Sequence, residues 1–242
     1  MINRALYLSG LYIIILIING CSSGREVKKE NEETNLTVKK IVNIAAAERE
    51  YIKDNRIKDI DKVSFILDED GKPVKGEKLS TISYNPDGYM KETDIYNSKG
   101  QVEYIYTYDY KNDLRAKTTR YTQDGKADKY YTYTYNKFKN KIKSTRYNLG
   151  RDMDKYYTYE YDDSGNLIKE NWFDKSGKEE YSIEYEYNDY GQKTAAKSYN
   201  ENDELIYKYQ FKYDNNGNII EEEKYNSDGD KIGVIQYVYR YY

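Results

Sequence analysis

A tyrosine-led motif that returns about every 26 residues constrains this chain more than any other feature. Leading tyrosines are read at Tyr84, Tyr108, Tyr135, Tyr161, Tyr187, Tyr213 and Tyr239, with spacings of 24, 27, 26, 26, 26 and 26. A second aromatic follows in each unit at Tyr96, Tyr121, Tyr147, Phe173, Tyr199 and Tyr225. Most of these aromatics introduce an Asp/Asn-x-x-Gly segment, as in Asp162-Asp163-Ser164-Gly165 and Asn226-Ser227-Asp228-Gly229. The Asp or Asn side chain can hydrogen-bond the backbone two residues on, and glycine accepts the positive φ that follows. Each unit therefore predicts two hairpin turns and two short strands, and a fixed period of this length signals a repeat architecture.

The strand that closes each unit alternates cleanly. Tyr181, Ile183, Tyr185 and Tyr187 fall on one face, with Ser182, Glu184 and Glu186 on the other. Such alternation predicts one buried and one wet face. The expected fold is all-β: an antiparallel meander of about a dozen strands with a short N-terminal helix. An open twisted or spiral sheet is favoured, with a barrel as the alternative. Tyrosine must supply the core, since the chain carries 33 tyrosines and only 4 phenylalanines; cross-strand aromatic pairs contribute roughly 0.2–1 kcal/mol each.

Composition removes several functions. A net charge of -3 lacks the basic excess that phosphate binding requires, so nucleic acid is not an expected partner. The chain has 0 histidines and 1 cysteine, which leaves no His-based triad or histidine metal site, and no cofactor is expected. Carboxylate chemistry on Glu184 and Glu186 is the remaining catalytic route. On a solvated strand those groups read as surface charge, so the chain is expected not to be an enzyme, and a carbohydrate-active enzyme is a distant alternative.

In chain order, Arg4 and the apolar run Ala5 to Ile18 read as a signal peptide over residues 1–20. Ile18-Asn19-Gly20-Cys21 resembles the lipobox of bacterial lipoproteins. That resemblance implies cleavage before Cys21, lipidation of this residue and membrane anchoring through it. With Ser22 next, it also implies the outer membrane where the host has two. Residues 21–36 read as the lipidated cysteine and a polar tether. Residues 37–61 read as a short helix or cap, expected to cover one end of the sheet and hide its edge strand. Residues 62–242 form the tyrosine-rich β-repeat domain.

Tyr159 to Leu167, reading Tyr-Glu-Tyr-Asp-Asp-Ser-Gly-Asn-Leu, resembles the tyrosine-aspartate (YD) repeat of Rhs proteins and teneurins, and Phe211 to Ile219 keeps the order. The resemblance implies a long antiparallel sheet with roles in surface contact or toxin encapsulation. Too few units are present to enclose a cargo, so the shell function is not carried over. Asn112, Lys139 and Asp203 stand where the turn glycine belongs, and those turns are expected to be distorted.

Tyr130 and Tyr156 break the alternation and should face outward, while Tyr110 and Tyr190 are read as turn residues. These four are the candidate ligand-binding positions, since tyrosine presents much contact area at low entropic cost. The expected function is a non-enzymatic binding or adhesion module at the cell envelope, surface-exposed, with a glycan or protein ligand. The alternative is a structural or assembly lipoprotein facing the periplasm.

Overall fold

The computed structural model describes residues 44–242. The signal peptide, Cys21, the tether and the start of the cap segment lie outside the described residues. Helix α1 (Ile44–Asp54) leads through a tight turn into fourteen antiparallel strands in sequence order. These are β1 (Ile57–Leu67), β2 (Pro73–Tyr84), β3 (Met90–Tyr96), β4 (Val102–Lys111), β5 (Leu114–Thr122), β6 (Ala127–Tyr135) and β7 (Lys141–Asn148). The second half holds β8 (Met153–Tyr161), β9 (Leu167–Asp174), β10 (Glu179–Tyr187), β11 (Lys193–Asn200), β12 (Leu205–Tyr213), β13 (Ile219–Asn226) and β14 (Lys231–Tyr241).

The sheet closes. β1 pairs with β14, with Ile60 opposite Tyr239 and Lys62 opposite Tyr237, so the barrel has no free edge. The open or spiral form favoured from the sequence is thereby corrected. The edge that the helix was expected to hide does not exist; full closure removes it. The first strand also begins at Ile57, inside the segment assigned to the cap.

Turn chemistry runs as the repeat predicts. At the Asp162 turn the Gly165 amide donates to Asp162 O at 2.9 Å, while the Asp162 side chain accepts from the Ser164 and Asn166 amides. The turns that lack glycine are not distorted. Lys139 and Asp203 take φ of 65° and 59°, and the Lys139 amide still reaches Asn136 O at 2.9 Å. The Asn112 turn differs in being shorter: Asn112 and Asp113 both adopt positive φ between the paired residues Lys111 and Leu114.

That short turn corrects the repeat register. In the second copy the leading position belongs to Tyr110 rather than Tyr108, as hydroxyl bonding shows. Tyr110, Tyr135, Tyr161, Tyr187, Tyr213 and Tyr239 each donate to the backbone carbonyl 20 residues earlier, at 2.7–3.2 Å. The acceptors are Met90, Arg115, Lys141, Leu167, Lys193 and Ile219, the first residues past each rim bulge. Tyr110 therefore sits on a strand end and not in a turn.

A second hydroxyl ladder runs one layer deeper. Tyr108 donates to Thr93 at 2.8 Å and Tyr133 to Thr118 at 2.6 Å; Tyr159 pairs with Ser144 at 2.9 Å and Tyr237 donates to Glu222 at 2.6 Å. Where the equivalent partner is Ala196, the aromatic is Phe211, which has no hydroxyl to satisfy. The ladders explain why tyrosine rather than phenylalanine fills this lumen: a buried donor and a buried acceptor satisfy one another. We expect Tyr159→Phe to cost about 1–2 kcal/mol, because the Ser144 hydroxyl is left buried. Adding Ser144→Ala should recover most of that loss in urea unfolding, since it recreates the Phe211/Ala196 arrangement. A double variant no more stable than the single one would show that the ladder is incidental.

The outer wall is polar. Lys197 pairs with Glu186, Lys169 with Glu184, and Lys212 with both Glu221 and Glu223. Charges stand in the middle of strands, where a membrane-spanning barrel presents an apolar band, and a basic residue there costs roughly 2–4 kcal/mol in lipid. This wall is built for water. Among the described residues no helix is long and apolar enough to cross a membrane.

Candidate functional site

One mouth of the barrel is formed by the turns that follow β2, β4, β6, β8, β10 and β12, and α1 lies across it. Near its centre Arg49 pairs with Asp113 at 3.1 Å and also donates to the Tyr89 hydroxyl. On the side of the rim around β13, Tyr51 donates to Asn218 Oδ1 at 2.7 Å and to Asn216 O at 3.0 Å. Gly88 is the seat for the helix. A Cβ there would stand 2.2 Å from the Arg49 carbonyl oxygen, and its φ of +82° already disfavours any other residue. Ile52 completes the contact, fully buried against the core cluster.

Beneath α1 is a cavity of about 120 Å³, lined by Glu48, Tyr84, Tyr110, Arg115, Lys141, Tyr159, Glu170 and Tyr185 among others. Its floor draws on one repeat position, the residue after each rim bulge: Met90, Arg115, Lys141 and Leu167 line the cavity, and Lys193 and Ile219 hold the same position on the two strands beyond it. Three of these carry positive charge. Burial pushes the Glu48 carboxyl up to about 7, against the opposing pull of Arg115, Lys141 and Lys193. Burial likewise pushes Lys193 down to about 8, offset in part by Glu222. Lys141 and Glu170 form a buried pair in which burial lowers the lysine and raises the carboxyl, each restrained by the other's charge.

Two donors on this lining are buried without a partner: Tyr84 Oη and Arg115 Nε. The Arg115 guanidinium is otherwise held by Met90 Sδ at 2.8 Å and by stacking over the Tyr108 ring at 4.5 Å. The arrangement offers flat aromatic faces, a planar cationic fork and a carboxylate carried by the lid. It holds no nucleophile–base pair, and among the described residues no cluster of side chains has metal-ligating geometry.

The four tyrosines singled out from the sequence do not converge. Tyr110 lines the cavity, packed against Tyr89 with ring centroids 4.7 Å apart. Tyr130 and Tyr156 lie on the outer wall, half-buried and stacked on Tyr147 at 5.0 Å and Phe173 at 4.7 Å. Tyr190 is 79% exposed at a turn tip. Glu184 and Glu186 are outer-wall partners of lysines. Sequence reading missed Glu48, Arg115, Lys141 and Lys193. A signal existed: Arg115, Lys141 and Lys193 each stand 20 residues before a leading tyrosine, Tyr135, Tyr161 and Tyr213, an offset whose meaning shows only once the hydroxyl bonds are seen.

No family model and no curated protein matches the chain. Among solved structures it is similar to a porin-like protein from Bacteroides uniformis, at 14% identity and TM-score 0.45, over 76% of this chain and 98% of that one. A DUF1329 family protein from Desulfovibrio piger is similar at 13% identity and TM-score 0.30, over 81% and 92%. The Tc holotoxin pore of Photorhabdus luminescens is similar at 13% identity and TM-score 0.32, over 72% of this chain and 11% of that one. None of these likenesses bears on what this chain binds.

Proposed function

We propose that the protein is a lipid-anchored, non-enzymatic binding module of the cell envelope, whose ligand sits in the helix-capped mouth of a water-exposed barrel. The observation that carries the binding reading is the cavity itself, with aromatic walls and buried donors left without partners. The charged outer wall and the lipobox-like Ile18-Asn19-Gly20-Cys21 support anchoring through Cys21 rather than through the strands.

Two measurements test this. Cell fractionation should find the wild-type protein with membranes and a chain that starts at Ser22, lacking both leader and cysteine, in the soluble fraction; a chain so shortened that stays in the membrane would make the barrel itself the anchor. Ligand-observed NMR with a panel of monocyclic compounds should give signals that Tyr110→Ala abolishes.

A second reading, an assembly or adhesion contact, is favoured by the stacked Tyr130–Tyr147 and Tyr156–Phe173 rings on the outer wall. Tyr130→Ala with Tyr156→Ala separates the two. The cavity reading expects the NMR signals to survive, and the outer-wall reading expects them to vanish.

A further inference from the structure

The barrel mouth has the composition of an anion site, and its own lid supplies the anion. Glu48 descends from α1 into a cavity whose floor carries Arg115 and Lys141, with Lys193 also close enough to act on it. Arg115 is stacked over the Tyr108 ring and donates through one Nη to Met90 Sδ, leaving its Nε a buried donor with nothing to donate to; Tyr84 Oη is in the same condition. Buried donors are rarely left so, and a planar guanidinium matches a carboxylate better than it matches any neutral group. The free volume of about 120 Å³ is near that of an apolar cavity that accepts benzene. Tyr110 and Tyr159 line it, with the Lys141 ammonium 3.8 Å from the Tyr159 ring centroid.

Building on the cavity as the ligand site, we infer that it takes a small cyclic carboxylate, and that Glu48 is a built-in competitor holding the place of the ligand's carboxylate. Glu48 is carried by α1, so a ligand that takes its place must shift the helix. The polar contacts that hold the helix to the rim include Arg49 with Asp113 and Tyr51 with Asn218, which a displaced helix would give up. Ligand entry and lid opening are then one event, and a neutral ring of the same shape gains nothing by displacing Glu48.

The test titrates benzoate and its neutral isostere benzamide into the full-length protein, using wild type, Glu48→Gln and Glu48→Ala, with circular dichroism confirming the fold. Benzoate should bind about tenfold more tightly to either Glu48 variant than to wild type, while benzamide affinity changes little. In the Glu48→Gln background, Arg115→Met should remove the preference for benzoate. Equal benzoate affinity in wild type and variants overturns the inference. Benzamide binding as well as benzoate throughout also overturns it, yet leaves the cavity as a ligand site; no binding of either ring to any variant sinks both readings. Wild type alone provides a check independent of variant folding. Benzoate, and not benzamide, should speed tryptic cleavage after Arg49 and Lys53 in α1, and unchanged cleavage counts against displacement.

Discussion

Gly88→Ala is expected to unseat α1 and to destabilise the protein by about 3 kcal/mol, the sum of a left-handed backbone cost and a steric clash. The added Cβ would lie 2.2 Å from the Arg49 carbonyl oxygen, a backbone atom that cannot swing away, so the helix must move. Gly100→Ala is the matched control. Its φ of +73° carries the same conformational cost, but a Cβ there meets nothing within 4 Å. That control should lose only about 1–2 kcal/mol and leave the helix in place. Urea unfolding reads the stability, and trypsin sensitivity at Arg49 and Lys53 reads the helix. Equal losses in the two variants, with the helix still protected in Gly88→Ala, would mean that Gly88 is a turn residue and not a seat.

The second large effect is expected at Glu222, which is fully buried and accepts a hydrogen bond from Tyr237 at 2.6 Å. Its charge also acts on Lys62, Lys193 and Lys224. Glu222→Gln removes the shared counter-charge of these lysines and should cost about 3–5 kcal/mol at neutral pH, the usual penalty for breaking a buried ionic group from one side. The loss should depend on pH in a definite direction. Burial pushes Lys193 and Lys224 down to about 8 in the folded protein, against an ordinary 10.5. Between those values the unfolded chain binds more protons than the folded one, so stability rises with pH across that window. Glu222 lifts each folded lysine toward its ordinary value. Removing it lowers them further, which should make the rise begin at lower pH and extend over a wider window. Above pH 10 the tyrosines oppose this, since burial holds Tyr237 and Tyr159 well above their ordinary value and the unfolded phenols ionise first. Urea unfolding of wild type and Glu222→Gln from pH 7 to 10 gives the comparison. Parallel profiles would remove Glu222 from its role as counter-charge.

How much of this was legible in the residues depends on the range of the interaction. Asp162 and Gly165 form their turn from contacts within five residues, so the motif reveals the turn directly. Tyr185 and Glu186 declare their faces by alternation, and the barrel keeps both assignments, one buried and one exposed. Tyr110 was misplaced because the Asn112 turn is shorter than its counterparts, a difference that shows in the pairing of Lys111 with Leu114 and in the hydroxyl bond to Met90. Lys139 and Asp203 were expected to strain their turns. The side chain of Asn136 or Asn200 holds each turn regardless, accepting amides two and four residues on.

By itself the sequence determined the strands, the turns, the tyrosine-lined face and the polar outer face, because each follows from local periodicity or from a side chain bonding its own backbone. Only the tertiary structure decided that the sheet closes. Pairing Ile60 with Tyr239 joins the two ends of the repeat array, and both open and closed sheets satisfy the same alternation. Closure in turn makes the site. Arg115, Lys141 and Lys193 come from separate repeats and Glu48 from outside the array, and they meet because a ring of strands gathers one repeat position around a single mouth.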